Sequence, residues 1–321
     1  MIGRHLSLAG MILWVLLAVT LTALLCFALL WGDLPLLKDL WPDWPAPWSD
    51  DGGTAALRQE QTFPVDEISR VVVEGRHHDV HITFTDTSTI TAREYAPERW
   101  PEARLLAVRR EGGTLSITAP RRHFYLWWGL SGADGRLELE LPARFRGGLS
   151  AETASGHIEW TGESTLTELK LATVSGDINL TGHAAANRAS IETVSGHIQL
   201  AALTAADQYH LSSVSGSIDA AALTGRGSAD AVSGSLWLTL TELTGGCSLE
   251  SVSGSVSLSL PADSAFYYNV SSVSGDIRID FPLVFDGGAL RTLSGSVGEA
   301  PVHRVDIETV SGGVRLIRRA A

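Results

Sequence analysis

The sequence predicts an all-β chain: a single-stranded β-solenoid (β-helix) of roughly 20-residue coils, preceded by one N-terminal transmembrane helix. Three observations carry this reading. A Ser-Gly pair recurs at a near-constant interval through the C-terminal half. Apolar and polar residues alternate at period two around each pair, as they do on strands. A long uncharged apolar run precedes everything else.

The apolar run comes first in the chain. Residues Leu6 to Leu30 form 25 positions without a charge. At ~1.5 Å per residue a helix of that length exceeds the ~30 Å hydrocarbon core of a bilayer. Its exit, Phe27-Ala28-Leu29-Leu30-Trp31, lacks the small-x-small pattern of a cleavage site, so an uncleaved signal anchor is expected. Arg4, His5 and the terminal amine precede the run, whereas Asp33, Lys38 and Asp39 follow it. That balance places the N-terminus in the cytoplasm. The expectation is a single-pass protein of the bacterial cytoplasmic (inner) membrane, with its C-terminal domain extracytoplasmic. Its first partner is then the lipid bilayer, through residues 6–30.

Four segments follow from composition. Residues 1–31 are the cytoplasmic stub and anchor. Residues 32–62 are a Trp/Pro-rich juxtamembrane linker, because Pro42, Pro45 and Pro47 forbid a helix and favour extended backbone. Residues 63–149 are an irregular opening β section, with alternating strands at Ile68–Val73, Val80–Phe84, Leu115–Thr118 and Leu137–Leu141. Residues 150–319 are the regular repeats.

Whole-chain composition excludes several classes. A chain of 321 residues with 45% apolar content can bury a sizeable core. Its formal net charge of −12 leaves no basic footprint for nucleic acid. Glycine is abundant at 32 residues but shows no Gly-X-Y period, which excludes collagen. The two cysteines, Cys26 and Cys247, lie far apart, so no disulfide framework is expected. Cys247 falls in the inward register as a small buried hydrophobe.

The repeats set the architecture. Ser-Gly pairs begin at Ser155, Ser175, Ser195, Ser215, Ser233, Ser253, Ser274, Ser294 and Ser311, at intervals of 20, 20, 20, 18, 20, 21, 20 and 17. Each unit reads as strand, sharp bend, strand. The seven-residue step from Leu171 to Ile178 would put the two on opposite faces of a straight strand, yet both have core character. The chain must therefore turn between them. The glycines Gly156, Gly176, Gly196, Gly216, Gly234, Gly254, Gly275, Gly295 and Gly312 are the expected structural turns, taken to adopt positive φ. A single coil buries too little to offset its ordering entropy, so the units must stack. The charged last strand, Val314–Arg319, is expected to blunt an open edge.

These repeated Val-Ser-Gly-Asp-Ile and Val-Ser-Gly-Ser-Ile units, together with the Leu141-Pro142 strand end, resemble the bacterial putative-adhesin β-strand-repeat family, which includes LiaG-like envelope proteins. The resemblance covers about Ile68 to Ile317. It implies a β-solenoid and an envelope location, and it brings no catalytic residues.

Candidate chemistry is sparse. The residues after each Ser-Gly form a column, of which His157, Asp177 and His197 are the metal-ligand types; a solvated corner column is the alternative. His77, His78 and His81 with Asp79 form a second histidine cluster, in which strand alternation turns His78 away from Asp79 and His81. The recurrent serines lack an attendant base and read as a structural hydroxyl ladder rather than nucleophiles. Phe124, Tyr125, Trp127 and Trp128, after Arg121 and Arg122, suit either a contact surface or a cap on the solenoid end.

The resulting expectation is a non-catalytic, membrane-anchored cell-envelope protein. Its solenoid serves as an interaction or adhesin-like surface for an unknown envelope protein or glycan, with a role in the envelope stress response. It needs no cofactor. The alternatives are a carbohydrate-active β-helix enzyme and a self-assembling envelope scaffold.

Overall fold

The computed structural model describes residues 55–98, 100–120, 135–282, 284–289 and 291–319, of which 285–289 by their backbone. The apolar run 6–30, most of the linker 32–62 and the aromatic residues Phe124, Tyr125, Trp127 and Trp128 lie outside these residues. Among the described residues the regular elements are β-strands and two short 3-10 turns, Val65–Glu67 and Glu102–Arg104. No helix among them is long and apolar enough to cross a membrane.

The sequence period is the climb of one coil. Strand Ile178–Thr193 pairs in parallel with Ile198–Ser213, matching Ile178 to Ile198, Ala184 to Leu203 and Ile191 to Leu211. Register shifts after Leu180 and after Ala186 divide the strand into three pairing segments, so the full coil has three sides. Ile178, Leu180, Ala184, Ala186, Ala189 and Ile191 all point inward and are buried. Like residues stack over like. One column runs Ile158, Ile178, Ile198, Ile218, Leu236, Val256, Val314. Another column trades volumes: Ala189 meets Tyr209, and Tyr209 meets Gly227, whose missing side chain makes room for the ring. Close packing of this kind is what fixes the stacking register.

Leu171 and Ile178 are both buried, and the Ser175-Gly176 bend lies between them, as the odd step requires. The reason for glycine differs from expectation. None of the Ser-Gly glycines has positive φ; among described residues that conformation belongs to Gly112, Gly113, Gly162, Gly225, Gly298 and Ala300. The constraint is crowding between coils. A Cβ on Gly196 would sit 1.9 Å from the Gly176 carbonyl oxygen, and one on Gly176 would sit 2.1 Å from that of Gly156. The backbones touch at every bend, and only glycine allows it.

Stacking order departs from chain order at both ends. Arg70–Glu74 lies between Thr114–Thr118 and Gly148–Thr153, parallel to both. His78–Thr85 likewise lies between Gly135–Pro142 and Ile158–Thr161. The opening section therefore contributes coils of the same stack, closed by the antiparallel strands Ala107–Glu111 and Thr89–Ala96, with Ala56–Pro64 beyond. At the other end, His303–Thr309 is wedged between Cys247–Ser251 and Phe266–Ser272. Val314–Arg319 is wedged between Val256–Pro261 and Ile277–Ile279.

Two expectations are corrected by this wedge. Val314–Arg319 is an interior strand and blunts no edge; the outer strand on that side is Ile277–Ile279. The Ser294-Gly295 pair leaves the file, because Thr292–Val297 runs antiparallel to Phe266–Ser272 as part of the closing hairpin. Gly295 is therefore no bend glycine; its Cα packs against the Val284 carbonyl and the Tyr268 ring.

The crowding at the bends makes a direct prediction. Gly196→Ala should destabilise the fold by about 2 kcal/mol or more, the scale of overpacking a tight site. Thermal unfolding measures it, and an unchanged midpoint would remove the close-stacking argument.

Candidate functional site

The bends form a ridge along the solenoid, built from two side-chain ladders that run between coils. The first is buried. The residue two before each Ser-Gly donates its hydroxyl to the bend carbonyl of the preceding coil: Thr173 to Gly156 (3.0 Å), Thr193 to Gly176 (3.2 Å), Ser213 to Gly196 (3.3 Å), and Ser251 to Gly234 (3.1 Å). The ladder follows the spatial order through the wedge, with Thr309 donating to Gly254 and Ser272 to Gly312. Buried carbonyls need such partners. One rung is missing, because Ala231 stands opposite Gly216 without a hydroxyl.

The second ladder contains the candidate metal residues. Asp79 Oδ1 accepts the His157 backbone N–H (2.8 Å), and His157 Nδ1 accepts that of Asp177 (3.0 Å). Asp177 Oδ1 accepts from His197 (2.7 Å), and His197 Nδ1 accepts from Ser217 (3.2 Å). Ser217 and Ser235 Oγ continue the series to Ser235 and Ser255. His157, Asp177 and His197 thus stack on successive coils, as the period implies, and one atom of each, Nδ1 or Oδ1, is engaged by a backbone N–H. In both imidazoles Nδ1 serves as the acceptor for a backbone N–H of the next coil. Asp, His and Ser interchange in this column because each offers an acceptor at similar reach.

The second histidine cluster also disperses. His78 points inward, 4% exposed, with Nε2 3.1 Å from Glu94 Oε1. Glu94 in turn accepts the Leu106 backbone N–H at 2.9 Å and the Gln59 amide at 2.5 Å. His81 faces outward and pairs with Glu159 at 3.1 Å, while His77 Nδ1 lies 2.7 Å from Ser155 Oγ. Among the described residues no group of three or more His, Cys, Asp or Glu is placed to hold a metal ion. The bend serines Ser175, Ser195, Ser215, Ser233 and Ser253 are exposed and carry neither ladder, so the expected hydroxyl ladder belongs to their neighbours instead.

The acidic residues are scattered along the chain. The wedge gathers several of them. Asp230, Glu250 and Glu308 stand on adjacent rungs of one outer face, with Asp306 diagonal to them. Burial pushes the Asp230 carboxyl up to about 6; the Glu250 charge adds to this, and His210 and Ser228 oppose it. Partial burial likewise raises Glu250 and Glu308, and neighbouring carboxylates reinforce both shifts. His210 Nδ1 lies 3.5 Å from Asp230, and Arg304 forks onto Asp306 at 2.8 and 2.9 Å. Inside the core, burial pushes the Cys247 thiol up to about 12 and raises the Tyr209 hydroxyl. Cys247 is a buried free cysteine, as its inward register implied.

Residues 68–316 match the sequence profile of the Toastrack DUF4097 family. No curated protein is similar enough in sequence to count as a match. Among solved structures, a putative adhesin from Bacteroides fragilis is similar at 14% identity and a TM-score of 0.48, covering 81% of this chain and 96% of its own. A putative adhesin from Parabacteroides merdae is similar at 10% identity and 0.49, covering 84% and 98%. A protein from Parabacteroides distasonis described as a putative lipid binding protein is similar at 16% and 0.48, again covering 84% and 98%.

Two predictions follow from the ladders and the carboxylate face. Ala231→Ser restores the missing donor to the Gly216 carbonyl and should stabilise by about 1 kcal/mol, read as a raised melting temperature; a neutral or lower value would argue that the carbonyl needs no donor. Asp230 releases its proton near pH 4 in an unfolded chain but near 6 when folded. The folded state holds more protons in that window, so stability falls as pH rises through it. Asp230→Asn should raise the melting temperature at pH 7 and flatten the fall between pH 4 and 6. An unaltered pH profile would show that Asp230 does not titrate in this range.

Proposed function

This chain belongs to the Toastrack DUF4097 family, and on that premise we propose that it is a non-catalytic, membrane-anchored cell-envelope protein whose solenoid is an interaction surface. The observation that carries the reading is how the recurrent polar groups are used. The residues after the bends and the hydroxyls before them are engaged in coil-to-coil hydrogen bonds. Glu168, Lys170, Arg188, Gln208 and His210 line a concavity that is open to solvent. Such a rod offers broad faces and a regular ridge for contact. The uncharged run 6–30 supplies the anchor, and the residues beyond it form an extracytoplasmic domain. A LiaG-like part in the envelope stress response is the finer form of this reading.

Fractionation of cells carrying the full chain, with protease added to spheroplasts, tests it. The chain should sediment with membranes and be cleaved from outside. Recovery in the soluble fraction, or full protection of the solenoid, would overturn it.

One observation favours a carbohydrate-active enzyme as the second reading. Asp230, whose carboxyl is raised to about 6, stands directly opposite Glu250, whose carboxyl burial also raises, and a pair of carboxyl groups is what glycoside cleavage uses. Release of reducing ends from polysaccharide, lost in Glu250→Gln, would favour that reading over pure binding.

A further inference from the structure

We propose that the face formed by Leu236–Glu242, Val256–Pro261, Val314–Arg319 and Ile277–Ile279 binds an acidic polysaccharide. The proposal rests on the reading of the solenoid as an interaction surface and names the surface and its partner. The register places Trp237, Ser257, Arg315 and Arg278 in one outward row on neighbouring strands.

Trp237 is 47% exposed, although it lies between the buried Leu236 and Leu238. Its ring has no aromatic or cationic partner among the described residues. Arg315 forms no hydrogen bond or ion pair there, and Arg278 meets only Asp276, at 3.8 Å with both groups exposed. Like charges directly opposite on neighbouring strands repel. This chain, with net charge −12, nevertheless sets two arginines directly opposite each other on neighbouring strands. Arg318 and Arg319 follow on the same strand and reach the Ala262 and Leu240 carbonyls, adding positive charge at that end. Asp219 borders Trp237 on the far side, so the field has a direction, from acidic at Asp219 to basic at Arg315 and Arg278.

Each part has a matching ligand feature. An exposed indole stacks on the C–H face of a sugar ring. The surrounding Ser257, Ser259 and Thr239 are short and hydroxyl-bearing, so a chain can lie flat and exchange hydrogen bonds with them. At ~4.8 Å per rung, Arg315 stands two rungs, about 10 Å, from Trp237. A sugar stacked on Trp237 would then place the acidic group of a following residue at the arginine pair. Guanidinium groups bind carboxylate through two parallel N–H bonds, which a lysine cannot reproduce. A lone aromatic side chain in a Ser/Thr field offers little to acyl chains, which separates this face from a lipid-binding one.

The test uses the full chain in detergent, with polygalacturonate as the probe, neutral dextran as the control and phosphatidylglycerol vesicles as the lipid arm. Polygalacturonate should bind and quench tryptophan fluorescence, and dextran should not bind. Trp237→Ala, and Arg278→Gln with Arg315→Gln, should each weaken binding at least tenfold while leaving the melting temperature unchanged. Arg315→Lys should fall between wild type and the glutamine pair. Absence of polygalacturonate binding, equal binding by the variants, or vesicle binding that depends on these residues while polygalacturonate does not bind, would each overturn the proposal. Membrane sedimentation and external protease cleavage of the same variants keep the two readings apart. If those persist while polygalacturonate binding proves independent of this face, the site fails and the broader reading stands.

Discussion

Backbone contact at the bends governs the rest of the structure. Where one coil crosses the next, the glycine Cα of one presses on the glycine carbonyl oxygen of the other, with no room for a Cβ. That approach brings the coils to strand spacing on every side at once. It also creates a demand for hydrogen-bond partners at the corner, where the regular pairing lapses. The inner Thr/Ser ladder satisfies the carbonyl, and the outer Asp/His/Ser ladder satisfies the amide. Glycine, hydroxyl and acceptor are therefore three parts of one joint, repeated along the rod.

The joint explains why the core can vary while the ridge hardly does. Inward columns accept Ala, Tyr, Gly and Cys in succession, because a large side chain on one coil is offset by a small one on the next. Packing density is conserved over a pair of coils, whereas the bend contact must be met at each one. The outward rows of the flat sides carry charged and aromatic groups that take no part in the joint. There the Asp230, Glu250 and Glu308 file and the Trp237, Arg315 and Arg278 row lie outside the ladders.

Much of this was legible in the sequence, and what was hidden had a physical cause. The spacing from Ser155 to Ser253 states the climb of a coil directly, and Leu171 with Ile178 states that a bend intervenes. Gly176 could be recognised as indispensable, but its reason could not, since crowding by the neighbouring coil is no property of its own segment. The outward position of Trp237 could have been read from its place between two inward leucines. The carboxylate file could not: Asp230 and Glu308 are far apart in the chain. Nothing in Thr309-Val310-Ser311-Gly312 distinguishes it from any other unit, so the sequence of a coil does not reveal its neighbours.

The wedged coils also limit how such a rod can change length. Arg70–Glu74 and His303–Thr309 are each held between two other strands, so neither presents a free stacking face for another unit. Duplication of a wedged strand would displace its neighbours, while duplication in the uniform stretch around Ser175, Ser195 and Ser215 would simply lengthen the middle. Relatives of different size should therefore share their closures and differ in the number of central rungs, as a telescope differs in its inner tubes.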